Sequence, residues 1–256
     1  MSKSLIAIAS AALLCASVPA FAATAPLPEC AAKASLDERV AAVQAKPDRP
    51  DSQKANDANR LSEVKFVLAH VKPGDHVLDF GAGGGYSSMI LSAAICDGQL
   101  DSQFTPGGSD KALAARQAWI GARSNIHAVI ADSDKLPLPA KPYDVIFIGT
   151  VYHDTYNVAG ANIAAQDKAL FAALKPGGLL LLTDHRTADG AGSSQTNTLH
   201  RIDKKTVLDD FKAAGFELVE DSNALANPAD DHTLKVFDPS LRGHTDRMAL
   251  VFRRPK

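Results

Sequence analysis

The sequence predicts an α/β protein: a Rossmann-like sheet of seven strands, mostly parallel, with helices on both faces. Three observations predict it. From about residue 60 onward, short and nearly continuous apolar runs alternate with stretches of helical periodicity, the pattern of strands buried on both faces. A glycine-rich turn, Gly81-Ala82-Gly83-Gly84-Gly85, joins the first of these runs to the helix after it. The composition, 46% hydrophobic and 22% charged over 256 residues, excludes collagen-like, coiled-coil and wholly disordered chains.

The chain opens with an address. Lys3 precedes the uncharged run Leu5 to Val18, and Pro19-Ala20-Phe21-Ala22 follows with small residues at the third-last and last positions. This is a secretory signal over residues 1–22, with cutting expected after Ala22. The run is shorter than the ~20 residues of a spanning helix, so no stable membrane insertion is expected. Bulky Leu14 before Cys15 argues against lipidation. A periplasmic or secreted protein is the expectation. Two cysteines remain, Cys30 and Cys96, in a compartment that permits a disulfide. Their spacing leaves pairing open, and two cysteines alone cannot build a four-thiolate zinc site.

Residues 23–60 read as an N-terminal arm or helical extension, rich in Ala, Pro and Asp, with a turn at Lys46-Pro47-Asp48-Arg49-Pro50-Asp51. A short helix is expected over Ser35 to Ala45, with Leu36, Val40 and Val43 on one face. The main domain, 61–256, begins with a second helix on which Leu61, Val64, Leu68 and Val71 recur before the stop Lys72-Pro73-Gly74. Strands are then expected at His76–Phe80, Gln99–Phe104, Asn125–Ala131, Tyr143–Gly149, Leu179–Thr183, Phe216–Val219 and Met248–Phe252. Helices fall between them at Tyr86–Cys96, Asp110–Arg123 and Asn162–Leu174, the last stopped by Lys175-Pro176-Gly177-Gly178. A further helix runs from Asp203, its cap, to Ala214. The stretch 222–246, between the last two strands, is long for such a connection. With Leu225, Leu234, Val236 and Phe237 to bury, it reads as an ordered flap.

Function concentrates at the first turn. Glycines there allow positive φ and close approach of the backbone to a ligand. A dinucleotide site uses a similar turn but wants its helix N-terminus bare for pyrophosphate. Here Asp79 sits at the end of the strand, two residues before the first glycine, which suits a cationic amino-acid ligand better. A purely structural tight turn is the competing reading. Net charge is −2, from 27 Lys and Arg against 29 Asp and Glu, without the basic footprint of a nucleic-acid binder. A small-molecule partner is expected, and oligomeric state does not follow from the sequence.

With Asp79-Phe80-Gly81-Ala82-Gly83-Gly84-Gly85 in view, the sequence resembles the class I S-adenosylmethionine-dependent methyltransferases. The approach at 72–79, Tyr143-Asp144-Val145-Ile146-Phe147-Ile148 and Leu174-Lys175-Pro176-Gly177-Gly178 share that resemblance. More narrowly, it resembles a group of exported bacterial proteins predicted to be methyltransferases. That resemblance rests on Tyr152-His153-Asp154-Thr155, Asp184-His185, Leu199-His200-Arg201-Ile202-Asp203, Asn227-Pro228-Ala229-Asp230-Asp231 and Phe237-Asp238-Pro239. It implies an antiparallel last strand and S-adenosyl-L-methionine as cofactor. Gly81, Gly83 and Gly85 would pass beneath the methionine part, with Asp79 organising that end. Asp132 and Ser133 would read the adenine amino group, as a carboxylate accepts from an exocyclic amine. The bland alternative for Asp132 is a turn or cap acid. Where such enzymes usually place a ribose-binding acid, this chain offers Gln103, which makes a weaker neutral bond.

Ligands of open α/β sheets lie outside the carboxyl ends of the strands. His153, His185 and His200 fall at or near such ends, with Asp154, Asp184 and Asp203 beside them. His153 is the candidate general base, because a neutral imidazole matches that task; the bland alternative has His153 bridging loop backbone and Asp154 capping the next turn. Asp154 or Asp184 would orient it, and His185 completes the catalytic candidates. Tyr152, His200 and Arg201 are the candidate substrate-binding residues. A mixed His/Asp set of this kind could bind a divalent metal, but no ligand spacing of the His-x-x-x-His kind supports it, and no metal is assigned. Two functions stay open: a methyltransferase acting on an oxygen or nitrogen nucleophile, and an exported binding protein or repurposed enzyme on the same fold.

Overall fold

The structure is a computed structural model that describes residues 27–31, 33–107 and 110–256, the backbone alone being described at 110–113 and 115. The expected leader and its cut after Ala22 lie outside the described residues. Among those residues, no helix is long and apolar enough to cross a membrane.

Seven strands form one sheet: β1 (His76–Phe80), β2 (Gln99–Phe104), β3 (Ile126–Ile130), β4 (Tyr143–Gly149), β5 (Leu174–His185), β6 (Glu217–Ser222) and β7 (Arg247–Arg253). Their order is β3-β2-β1-β4-β5-β7-β6. The first five run parallel, and β7 lies antiparallel between β5 and β6. Strand direction reverses its crossover side at β1/β4, so the carboxyl ends of these two strands open a crevice.

Alternation explains the two cores. On β4, Ile146 and Ile148 join Leu78, Leu180, Leu250 and Phe252 on one face. Val145 and Phe147 join Val77, Leu181 and Val251 on the other. Helices α4 (Tyr86–Ala94), α5 (Asp110–Ile120), α7 (Ile163–Ala173) and α8 (Lys204–Ala214) connect the strands close to their expected bounds. Asp203 caps α8 by accepting from Lys205 N at 2.9 Å.

The arm is helical and attached. Helix α1 (Leu36–Gln44) opens on a capping box between Ser35 and Glu38, and α3 (Asp57–Leu68) follows the one-turn α2 (Asp51–Lys54). Val40, Val43, Val64 and Leu68 pack on Tyr86, Ile90 and Ala94 of α4. Cys30 and Cys96 are disulfide-bonded, which ties the arm to the end of α4. Arg39 donates to Leu68 O at 3.0 Å and to Val71 O at 2.8 Å.

Three local readings change. Lys175-Pro176-Gly177-Gly178 lies inside β5, bulging out between the pairs Tyr143–Leu174 and Val145–Leu179 where the register with β4 shifts. The sixth strand runs 217–222 instead of 216–219, as Phe216 turns into the core. The fourth strand leads into a one-turn helix, α6 (Tyr152–Thr155), too short to show a period.

Candidate active site

At the end of β1 the glycine turn bends through three left-handed residues, Gly81 (φ 68°), Gly83 (φ 52°) and Gly85 (φ 77°). Their surroundings differ. A Cβ on Gly85 would come within 2.3 Å of the Trp119 ring, and one on Gly81 within 2.7 Å of Val151 Cγ2. At Gly83 the first neighbour is Gly81 O at 3.8 Å, since that position faces a cavity of about 440 Å³. Asp79 and Gly149 form its floor. Gln53, Asn56 and Arg60 of the arm form its opposite wall.

Asp79 is buried and accepts from Ser88 Oγ at 2.5 Å; Ser88 in turn accepts from Ser102 Oγ at 3.0 Å. Burial pushes the Asp79 carboxyl up to about 7, against the pull of the Ser88 bond. Gln53 donates to Gly84 O at 3.1 Å, while its buried Oε1 has no partner among the described residues. Arg60 lies 4.2 Å from the centre of the Tyr86 ring and pairs with the buried Glu63. Glu63 also accepts from Thr183 Oγ1 at 2.7 Å, locking α3 onto β5.

A second cavity of about 670 Å³ shares Asn56 and Arg60 with the first and continues past Thr150, His185 and Thr245 to Phe237 and Arg242 of the flap. Beside it stand three histidines. His153 is buried: its backbone N donates to Asp184 Oδ2 at 2.8 Å and its Nδ1 meets Asp184 Oδ1 at 2.7 Å. Its Nε2 lies 3.2 Å from Asp154 Oδ1, which also stands 3.3 Å from His200 Nδ1. The rings of His153 and His200 are perpendicular with centres 5.5 Å apart, and His185 is 6.0 Å from His153. His200 has φ 56°, a left-handed conformation uncommon for a side-chain-bearing residue.

Electrostatics separate these rings. Desolvation works against the charged form of His153, yet Asp184 and Asp154 together carry it up to about 10. Burial drives His185 the other way, down to about 4, with its Nδ1 against Thr245 Oγ1 at 2.7 Å.

No protein-family model matches the chain. It is 28% identical over 193 residues to the ubiquinone/menaquinone biosynthesis C-methyltransferase UbiE of Vibrio campbellii, across 70% of this chain and 62% of that relative. The chain therefore spans about three-fifths of that relative's length. The S-adenosylmethionine-dependent methyltransferase of Mesorhizobium loti superposes with a TM-score of 0.55 at 18% identity, covering 77% of this chain and 98% of that one. The chain has the class I methyltransferase fold. A [4+2]-cyclase, SpnF, also superposes on it, with a TM-score of 0.54 at 20% identity over 77% of this chain and 81% of that one.

On this methyltransferase fold the residues expected at the cofactor sort unevenly. Asp79, Gly81 and Gly83 line the first cavity, and Gly85 supports the turn from behind. Gln103 corrects its expected role. Its Oε1 accepts from Gly81 N at 2.9 Å and its Nε2 donates to Ala131 O at 2.7 Å, so the amide ties two loops together and is not free for ribose. Asp101 is taken by the Tyr143 hydroxyl at 2.7 Å. Asp132 stands at the end of β3 paired with exposed Lys135 at 2.9 Å, and Ser133 is buried behind it.

At the acceptor end two expectations fail. Tyr152 does not line a pocket: its ring packs on Phe211 and its hydroxyl lies between Asp167 (2.9 Å) and Asp210 (3.1 Å). One phenolic proton cannot serve both acids, and burial raises Asp167 to about 7. Arg201 is wholly buried and grips Asp230 of the flap instead of a substrate. The neutral imidazole expected at His153 is held charged by its two carboxylates. Gln53, Asn56 and Arg60 went unnoticed in the sequence because an arm without a motif gives no sign of where it docks.

Proposed function

We propose that the protein is an S-adenosylmethionine-dependent methyltransferase acting on a small molecule through an oxygen or nitrogen nucleophile. The observation that carries this reading is the pair of cavities meeting at Asn56 and Arg60, above the carboxyl ends of β1 and β4. The cofactor would lie in the first. Its amino-acid end would meet Asp79 and the free Gln53 Oε1, and its adenine the loop of Asp132 and Ser133. When bound, the cofactor supplies a sulfonium methyl group. The protein's own tasks are to align the acceptor in the second cavity and receive its proton. His185, which burial keeps neutral at the cavity wall, would take that proton, with Asp154, His200 and the charged His153 beside it. The Vibrio campbellii relative is a C-methyltransferase by name. The imidazole-rich rim here favours oxygen or nitrogen, whose proton it can take.

Titration calorimetry with S-adenosylmethionine, S-adenosylhomocysteine and adenosine tests the reading. Saturable binding of S-adenosylhomocysteine is expected, and heat from none of the three would overturn it. One observation favours a second reading, a binding protein or an enzyme that does not transfer methyl groups: Gln103 leaves the end of β2 without a free polar group for ribose. A cyclase on this fold shows that the fold does not fix the reaction.

We also infer export to the periplasm or medium. The Lys3, Leu5–Val18, Ala20–Ala22 pattern supports it, and a disulfide persists in oxidising compartments. Material from the cell envelope should begin at Ala23; retained Met1 would refute export.

A further inference from the structure

The donor set around Asp154 has a use that proton transfer does not require. We infer that His153, Asp154 and His200 bind a single divalent cation of the zinc class, with a remaining coordination position open to the acceptor cavity. One donor atom from each residue lies within 4.8 Å of the others. His153 Nε2 and His200 Nδ1 stand 3.2 and 3.3 Å from the same Asp154 Oδ1. Donors bound at ~2.0–2.2 Å around a tetrahedral centre are themselves separated by roughly 3.3–3.5 Å. Little movement, with loss of the Nε2 proton that His153 otherwise carries, would therefore bring them to ligand positions.

The surroundings fix those donors. Asp184, wholly buried, holds His153 Nδ1 at 2.7 Å and aims Nε2 at Asp154. A carboxylate behind an imidazole in this way orients metal-binding histidines generally and sharpens their basicity. Asp184 is itself held by the backbone N of His153 and of His185. His200 reaches the cluster from a left-handed backbone position, which must be stabilised by its neighbours. Those neighbours are the Leu199 carbonyl, bonded to Val236 N, and the buried Arg201.

Charge and access agree. The ion pairs of Asp154 among the described residues are with the two imidazoles, and no Lys or Arg approaches it. Its side chain is half exposed, and His200 is partly exposed, so the cation would meet solvent or ligand on one side. Two imidazoles and one carboxylate suit zinc and its borderline neighbours better than magnesium, which prefers an all-oxygen shell. His200 packs against Phe237 with ring centres 4.9 Å apart, and Phe237 lines the acceptor cavity. A cation there would draw an acceptor oxygen into line and make its proton easier to lose. The site stands on geometry alone; its catalytic use rests on the methyltransferase reading.

The test is calorimetric titration of untagged protein with Zn²⁺, paralleled by the visible spectrum of the Co²⁺ form. One equivalent should bind, and His200→Ala and Asp154→Asn should each weaken it about tenfold or more. Circular dichroism should stay that of the wild type, above all for the half-exposed Asp154. His232→Ala, whose ring pairs with Asp246 elsewhere, should bind as wild type. Absence of a saturable single site, or unchanged affinity in both variants, would overturn the proposal. Zinc binding without S-adenosylhomocysteine binding would retain the cation site and remove the methyltransferase reading; the converse would do the opposite.

Discussion

Arg201 and Asp230 form an ion pair at 2.9 Å with both side chains out of solvent, and it holds the flap to the sheet. The same guanidinium donates to Leu234 O at 3.0 Å and Arg186 O at 2.9 Å, so all of its fork is engaged. Asp230 also accepts from the backbone of His232 and Asp246. Removing one partner leaves a buried charge unpaired, which costs about 3–5 kcal/mol. Arg201→Met and Asp230→Asn should therefore each lower unfolding free energy by that order in denaturant melts. The double variant should lose less than the sum, because both single changes break one contact. Strict additivity would show that the pair is not the tie.

Two glycines of one turn should respond differently to the same change. A Cβ at Gly83 meets no atom beyond its chain neighbours closer than Gly81 O at 3.8 Å, and Gly83→Val would project into the 440 Å³ cavity. It carries only the left-handed strain, about 1–2 kcal/mol. Cofactor binding should vanish in calorimetry while the protein stays folded. Gly85→Val drives a side chain into Trp119 and should lower the melting temperature severely. Equal cofactor affinity in Gly83→Val and wild type would move the binding site elsewhere.

How much of this was legible beforehand follows from what each residue depends on. The strands showed as apolar runs because both faces of the sheet are covered, and β1, β2 and β4 fall on their expected bounds. The glycine turn showed because positive φ restricts residue type. Tyr152 and Arg201 were misread for the opposite reason. A polar side chain beside a presumed site looks like a ligand group until its partners are known, and Asp167, Asp210 and Asp230 lie far along the chain. The arm's contribution was hidden in the same way. Arg60 and Gln53 reach the cavity only because α1 and α3 pack on α4 and Cys30 joins Cys96.

Cofactor affinity should depend on pH through Asp79. Its carboxyl is raised to about 7, well above the ~3.9 of a solvated aspartate, so the unliganded site keeps it largely protonated in mild acid. A cationic ligand prefers the ionised form. Affinity for S-adenosylhomocysteine should therefore fall as pH drops below about 7, approaching tenfold per unit, and level off above it. Asp79→Asn should bind more weakly at pH 8 and lose the slope. The same shift has a stability consequence of fixed sign. Because the folded state holds this proton more tightly than the unfolded chain, its contribution to stability declines between about pH 4 and 7. An affinity that is flat from pH 6 to 8 would exclude Asp79 from the cofactor's cationic end.

The sharpest prediction concerns His153, whose ring can be removed without dismantling its support. Asp184 would keep the bonds from the backbone N of residues 153 and 185, at 2.8 and 2.7 Å, because neither involves the imidazole. His153→Ala should accordingly fold. Its loss of packing and of the charge paired with buried Asp184 would cost up to about 3–5 kcal/mol, as for other broken buried pairs. S-adenosylhomocysteine should bind as it does to wild type, since the ring faces Asp154 and His200 and lines neither face of the glycine turn. Turnover with an acceptor substrate should fall by about 10²–10⁴, the range for acid–base groups, with the charged ring acting through Asp154 and His200. His153→Gln restores the bond to Asp184 but supplies no imidazole, and should not recover turnover. If His153→Ala turns over within about threefold of wild type, far below the range for a proton-handling group, the ring serves only to hold α6 against β5.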